Sequence, residues 1–254
     1  MKFASPLRAV SGLLLLAAIA LVPSTTLAAK RARAPKPGEF NPRHETVELF
    51  AAMKDKTLDV RVIMADERHG KLVVKNNTKR PLNVQLPEAF ATAPVLAQFG
   101  GGGGFGNGGG RGGGGGQAGG GGAQQGIFNI PPEKIRKIDI HTVCLQHGKK
   151  NPHKGLSYTI RPLEEVTDDA QVQQLVRMYA KRGPAEYKAF QAAAWHLTDE
   201  LSWKQLAAKQ RKRLGRESVP YFQRREIVAA KQVAEEVIKQ TKATTSDRVS
   251  LSGK

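Results

Sequence analysis

Cys144 and Gln191 are the two residues whose chemical types could join in a covalent bond. Cys144 is the only cysteine among the 254 residues, so the chain cannot close a disulfide on itself. A thiolate can attack the carboxamide carbon of a glutamine and release ammonia, which leaves a thioester that an amine can open. Three fates of this thiol are open: burial in an inert core, pairing with another chain, or reaction with Gln191.

The segment around Gln191 resembles the glutamine motif of thioester domains in bacterial surface adhesins. It reads Phe-Gln-Ala-Ala-Ala-Trp-His-Leu-Thr-Asp over residues 190–199, and Val143-Cys144-Leu145 provides the apolar-flanked cysteine that precedes the glutamine in that family. The resemblance implies a bond between Cys144 and Gln191. Trp195, one helical turn beyond Gln191, would then shield the bond from water. Ordinary core packing of the aromatic residues, with Gln191 as a surface amide, is the alternative.

A metal site is a weaker hypothesis, for which His141, Cys144 and His147 are the candidates. They follow a His-x-x-Cys-x-x-His spacing. On a continuing strand, residues three apart point to opposite faces of the sheet, so His141 and Cys144 could not bind one ion. A Cys-His hydrolase would need a third residue to orient the histidine, and the sequence identifies none. We therefore predict no metal, no other cofactor and no enzymatic activity.

Residues 1–28 have the order of a cleaved secretory signal. Two basic residues precede the apolar run Ala9–Val22, and Pro23 and small residues follow it. We expect cleavage after Ala28, and hence a secreted, periplasmic or cell-surface location. The apolar run is shorter than the roughly 20 residues that span hydrocarbon. We therefore expect no transmembrane segment once the signal is removed.

The formal net charge of the chain is +18, which attracts polyanions. The positive charges are dispersed along the chain and few aromatic residues lie among them, a pattern that disfavours a specific nucleic-acid site. For an exported protein we expect an anionic surface polymer or an extracellular protein as partner.

Residues 45–165 carry the alternating pattern and the turn signals of antiparallel strands. In the stretch 135–145, Ile138, Ile140, Thr142 and Cys144 share one face, which we predict to line a core. Val73–Pro87 also resembles immunoglobulin-like modules. These features predict an α+β protein whose first half is an antiparallel immunoglobulin-like β-sandwich.

A Gly-rich insert interrupts this half at residues 100–126, which hold most of the 27 glycines. Such a segment has little to bury and loses much backbone entropy on ordering, so we predict that it is disordered. A sandwich can accommodate the insert because the cost of loop closure grows only logarithmically with length. We also predict a flexible basic leader at residues 29–44 and a disordered tail at residues 245–254.

Residues 166–244 are predicted to form a helical domain. Thr167–Asp169 is a capping signal for a first helix, and Gly183-Pro184 ends that helix and starts the next. Ser202–Gln205 fits a capping box for a third helix. Pro220 is predicted to open a fourth.

The chain as a whole resembles secreted bacterial proteins of unassigned function. The shared segments are Leu-Pro-Glu-Ala-Phe (86–90), the Gly-rich insert, Val-Cys-Leu-x-His-Gly-Lys (143–149) and Ala-Ala-Trp-His-Leu-Thr-Asp (193–199). The resemblance implies no particular activity. We therefore predict a binding or structural protein of the cell envelope. The alternative is a covalent surface adhesin in which a thioester between Cys144 and Gln191 reacts with amines.

Overall fold

The computed structural model describes Met1 and residues 38–95, 119–123, 126–213 and 215–252. Strands prevail up to residue 161 and helices after it, which confirms the α+β class. The strands are β1 (Glu45–Glu48), β2 (Leu58–Met64), β3 (His69–Asn76), β4 (Leu82–Gln85), β5 (Phe90–Pro94), β6 (Gly119–Ala123), β7 (Ile127–Ile130), β8 (Ile135–Cys144), β9 (Tyr158–Arg161), β10 (Gln210–Arg213) and β11 (Arg216–Pro220). The helices are α1 (Leu49–Lys54), α2 (Ala170–Arg182), α3 (Tyr187–Thr198), α4 (Trp203–Ala208) and α5 (Arg224–Ser252).

Six strands close into a barrel in the order β2-β3-β8-β6-β5-β9, and β1, β4 and β7 form a separate sheet. One buried apolar cluster joins the two, with Leu72, Phe90 and Ile140 from the barrel and Leu82 and Phe128 from the separate sheet. The predicted immunoglobulin-like sandwich is not confirmed. Closure pairs the strands that would be the free edges of an open sheet, so the barrel strands need no facing sheet to protect their edges.

The end of the Gly-rich segment is a strand of the barrel. β6 pairs with β5 on one side and with β8 on the other, so the predicted disorder of residues 100–126 does not hold for 119–123. The glycines permit a close approach of backbones: a Cβ on Gly121 would lie 1.9 Å from the carbonyl oxygen of His141. Residues 100–118 and 124–125 lie outside the described residues, as do the signal beyond Met1 and the leader up to residue 37.

Helices α2, α3 and α5 pack around a second apolar cluster, which contains Val143 of β8, Tyr179, Phe190, Trp195 and Val237. The second half of β8 is therefore buried on both faces, because the barrel covers one and the helices cover the other. Both clusters belong to one compact unit of the described residues. No helix within the described ranges combines the length and the apolar character that crossing a bilayer requires.

The predicted helix caps are confirmed. The Asp169 side chain accepts hydrogen bonds from the N–H groups of Gln171 and Val172 at the start of α2. Ser202 and Gln205 form both hydrogen bonds of a capping box at the start of α4. These caps could be predicted because each one joins residues within one turn of the chain.

The end of the chain differs from the prediction in two respects. Pro220 ends β11 instead of opening a helix, and α5 begins at Arg224. The hairpin of β10 and β11 is almost wholly exposed, so it lacks the apolar alternation by which strands are recognised. Helix α5 also continues to Ser252, into the segment for which we expected a disordered tail.

Candidate functional site

Gln191 lies against the backbone of Cys144 and is fully buried, with 0% of its surface exposed. Its Oε1 accepts a hydrogen bond from the Cys144 N–H at 2.8 Å, and its Nε2 donates to the Cys144 carbonyl oxygen at 2.9 Å. The Tyr187 hydroxyl also donates to Oε1, at 3.1 Å. The alternative in which Gln191 is a surface amide is therefore wrong.

The Gln191 carboxamide replaces a strand partner that β8 lacks at its end. Strand β3 pairs with β8 as far as His141, and the Thr142 N–H still donates to the Arg68 carbonyl oxygen. Alternate residues of a strand direct their backbone groups to the same side, so the backbone groups of Cys144 point the same way as those of Thr142. On that side β3 no longer runs alongside β8, and the Cys144 groups have no strand partner there. A buried backbone N–H and C=O without partners would cost free energy, and one amide side chain satisfies both.

The Cys144 thiol makes its hydrogen bonds elsewhere. Its Sγ donates to the Gln146 carbonyl oxygen at 3.2 Å and accepts from the Gln146 N–H at 3.3 Å. Burial raises the pKa of the thiol to about 11, although the Trp195 indole acts in the opposite direction. The thiol is therefore protonated at neutral pH, where it is a weak nucleophile. The structure thus brings Cys144, Gln191 and Trp195 together, with the carboxamide bonded to the cysteine backbone.

The two histidines of the candidate metal site lie in different surroundings. His141 is buried and packs edge-on against Tyr179, with ring centroids 5.1 Å apart, and burial lowers its pKa. His147 packs edge-on against Trp195, at 4.8 Å. Within the part of the chain that the structure describes, no group of three or more His, Cys, Asp or Glu side chains is arranged to hold a metal ion.

A cavity of about 300 Å³ opens next to Trp195; we call it the Trp195 cavity. It lies where the turn between β2 and β3, the segment after β8, helix α3 and the β10–β11 hairpin meet. Its lining includes Glu67, His147, Trp195, Lys209, Gln210, Arg211 and Tyr221. The lining combines cations, one carboxylate, two amides and aromatic rings, which are the groups that orient a polar ligand.

Lys209 and His147 form the polar centre of the Trp195 cavity. Lys209 Nζ lies 2.7 Å from His147 Nε2 and 5.1 Å from the centroid of the Trp195 ring. Burial, together with the ammonium of Lys209, lowers the pKa of His147, so the neutral ring accepts a hydrogen bond from Lys209. The Asp199 carboxylate accepts from the His147 backbone N–H at 3.0 and 3.1 Å, which holds this segment in place.

The hairpin next to the cavity is strongly basic. Arg211 lines the cavity, and Lys212, Arg213 and Arg216 are exposed. Among the described residues, none of these four side chains forms an ion pair, and neither does Glu67. With Glu217 as the one acidic residue of the two strands, the hairpin presents a net positive charge to the solvent.

The residues of the Trp195 cavity come from distant parts of the chain. Sequence analysis identified His147 and Trp195, but for other roles, and it missed Glu67, Lys209 and Tyr221. No motif links these residues, and the available signal was weak: a short basic run followed by an aromatic residue. No family model, curated protein or solved structure matches this chain. Its function is therefore inferred from its own contacts and charges.

Proposed function

We propose that this protein is an exported, non-enzymatic binding protein that holds an anionic polymer of the cell envelope against its basic hairpin. Export is inferred from the signal-like order of residues 1–28. The observation that carries the proposal is the exposure of Lys212, Arg213 and Arg216 without an acidic partner among the described residues. Such cations attract a polyanion because each contact releases counterions from the polymer.

The surroundings of the hairpin also favour binding over catalysis. The thiol of Cys144 is buried and its pKa is raised, so it does not supply a nucleophile at neutral pH. Lys209 and His147 are hydrogen-bonded to each other. The groups that face solvent are mainly charges of one sign, which suits recognition of a charged surface.

The proposal predicts that removing positive charge from the hairpin weakens the binding of polyanions. We expect the wild-type protein to bind polygalacturonate and alginate at moderate salt and not to bind neutral dextran. The triple variant K212Q/R213Q/R216Q should bind these polyanions at least about tenfold more weakly, because each lost contact forgoes counterion release. Biolayer interferometry with immobilised polymer, repeated over a series of salt concentrations, measures both the affinity and the salt dependence.

A matched variant tests whether polymer binding depends on the hairpin itself or only on the net charge of the protein. Lys75, Lys79 and Lys137 are exposed cations of the barrel and its adjoining turn, and K75Q/K79Q/K137Q removes the same total charge as the hairpin variant. This control should weaken binding less than about twofold. Equal weakening by both triple variants would contradict the proposal, and so would a preference for single-stranded DNA or for a purified extracellular protein over the polysaccharides.

A covalent surface adhesin is the second candidate, and the contact between Gln191 and Cys144 favours it. In this reaction Sγ would bond to the carboxamide carbon of Gln191, the C–N bond would break, and ammonia would leave with the thiol proton. The carboxamide would first have to give up its hydrogen bonds to the Cys144 backbone. The raised pKa of the thiol also opposes the thiolate that the attack requires.

Intact mass distinguishes the two candidates. If the protein is a non-covalent binder, its mass equals that of the processed sequence, and Cys144 reacts with iodoacetamide only after unfolding, because the native thiol is buried and protonated. A mass lower by one ammonia, with methylamine incorporated at Gln191, would establish the adhesin instead. A full-mass protein whose Cys144 is alkylated in the native state would exclude the thioester.

A further inference from the structure

We infer that the Trp195 cavity is a subsite for one acidic sugar unit, meaning a hexose that carries a carboxylate or a phosphate. This inference rests on the proposed function, because it identifies the chemical unit of the polymer that the basic hairpin holds. The cavity and the hairpin are continuous, since Gln210 and Arg211 belong to β10 and also line the cavity.

The size of the cavity is sufficient for one sugar ring. At about 300 Å³ it lies at the small end of ligand-binding cavities in proteins. A polymer could therefore place one unit or one end group in it while neighbouring units lie along the hairpin. This arrangement divides recognition between a shaped cavity and a charged surface.

Lys209 and Arg211 are the two cations that can bind the carboxylate or phosphate of the ligand. Lys209 gives one hydrogen bond to His147, and its ammonium has two further donors. Arg211 has a planar guanidinium that can bind a carboxylate or a phosphate through two parallel hydrogen bonds. Burial lowers the pKa of Lys209, and a bound anion would favour the charged ammonium.

Glu67 suits a ligand that also carries hydroxyl groups. Its carboxylate lines the same cavity and, within the described residues, has no cation in ion-pair contact. A carboxylate only accepts hydrogen bonds, so it repels a simple anion but binds a hydroxyl. An acidic sugar satisfies both sides of the cavity, because its anionic group meets the cations and its hydroxyls meet Glu67 and the Gln210 amide.

The aromatic residues favour a sugar over a nucleobase. Trp195 is only 5% exposed, so it offers no open face on which a base could stack. The Tyr221 ring already has Lys188 Nζ at 3.5 Å from its centroid. Single-stranded nucleic acid needs free aromatic faces on which its bases stack, so these rings disfavour it.

Calorimetric titration with glucuronate, glucose 6-phosphate, glucose and inorganic phosphate tests the inference. We expect the two acidic sugars to bind and glucose not to bind. The ratio of the affinities for glucuronate and glucose 6-phosphate shows whether the site prefers a sugar carboxylate or a sugar phosphate. The variant K209Q should weaken the acidic sugars at least about tenfold. K204Q, which removes an exposed charge outside the cavity, is the matched control and should bind as the wild type does.

The variant E67Q tests the role assigned to the Glu67 carboxylate. It should strengthen the binding of inorganic phosphate, which loses a repelling charge, and strengthen the acidic sugars less, because their hydroxyls exchange a charged acceptor for a weaker amide oxygen. E217Q on the exposed hairpin is the control for the change in net charge. An equal gain for both ligands, or binding of glucose as tight as that of glucuronate, would overturn the inference.

Failure of this inference can be told from failure of the proposed function. If the hairpin variant loses polymer binding while K209Q leaves acidic-sugar binding unchanged, the subsite is wrong and the binding function stands. If the wild-type protein binds acidic sugars but no polyanion, the proposed function is wrong and the cavity remains a separate site.

Discussion

Replacement of Gly121 by alanine is expected to lower the free energy of unfolding by more than about 4 kcal/mol. The new Cβ would lie 1.9 Å from the carbonyl oxygen of His141 and 2.8 Å from Thr142 Cα. Both atoms belong to the backbone of β8, so no side-chain rotation relieves the clash. The variant must therefore separate β6 from β8, which opens the barrel. Urea unfolding followed by circular dichroism measures the change.

Two other glycines of the same segment calibrate this result. A Cβ on Gly126 would meet no atom within 4 Å, whereas one on Gly120 would lie 2.6 Å from a methyl group of Val176. We expect Gly126→Ala to change the free energy of unfolding by less than about 0.5 kcal/mol. Gly120→Ala should fall between the two, because helix α2 and the Val176 side chain can shift. If Gly121→Ala is as stable as Gly126→Ala, β6 does not pair with β8 as described.

Replacement of Gln191 by alanine is expected to lower the free energy of unfolding by about 3–5 kcal/mol. It removes the partner of the Cys144 N–H and C=O and of the Tyr187 hydroxyl, and it leaves a cavity in a closely packed region. Gln232, which is exposed on α5, provides the control, and Gln232→Ala should be nearly neutral. A small effect of Gln191→Ala would show that the carboxamide does not serve as the missing strand partner.

The isosteric variant Gln191→Glu identifies the hydrogen bond that matters. A buried carboxylate can accept from the Cys144 N–H but repels the Cys144 carbonyl oxygen, whereas a protonated carboxyl can donate to that oxygen. The pKa of the new side chain should therefore be raised in the folded state, so the folded state binds more protons than the unfolded state. By linkage, the stability of the variant relative to that of the wild type should rise as the pH falls from 8 towards 5.

The wild-type protein should respond to pH in the opposite direction. Burial lowers the pKa values of His141 and His147 below the ordinary value of 6.5, so the unfolded state binds more protons as the pH falls through that value. Its stability should therefore decrease between pH 7 and pH 5. Urea unfolding at several pH values compares the two proteins. If both show the same pH dependence, the hydrogen bond from Gln191 to the Cys144 carbonyl oxygen contributes little.

The cation–aromatic packing around the cavity and the pairing of β6 illustrate what sequence patterns do not encode. The helix caps at Asp169 and Ser202 and the alternation along β8 were predictable because they involve near neighbours in the chain.

The prediction of a helix start at Pro220 was wrong, since a proline suits the start of a helix as well as the end of an exposed strand. The choice depends on whether Arg216–Pro220 finds a partner strand, and that partner is Gln210–Arg213.

The sequence by itself determined the α+β class and the caps of α2 and α4, whereas the bond between Cys144 and Gln191 was a hypothesis from motif resemblance. Only the tertiary structure decided that the strands close into a barrel, that a run of glycines serves as β6, and that Gln191 bonds to the backbone of Cys144. The physical reason is the range of the interactions. Capping and periodicity act over a few residues. The close fit of β6 against β8 is possible because the glycines of β6 have no side chains, which a hydrophobic pattern does not reveal. The Trp195 cavity is formed by segments that meet only when the chain has folded.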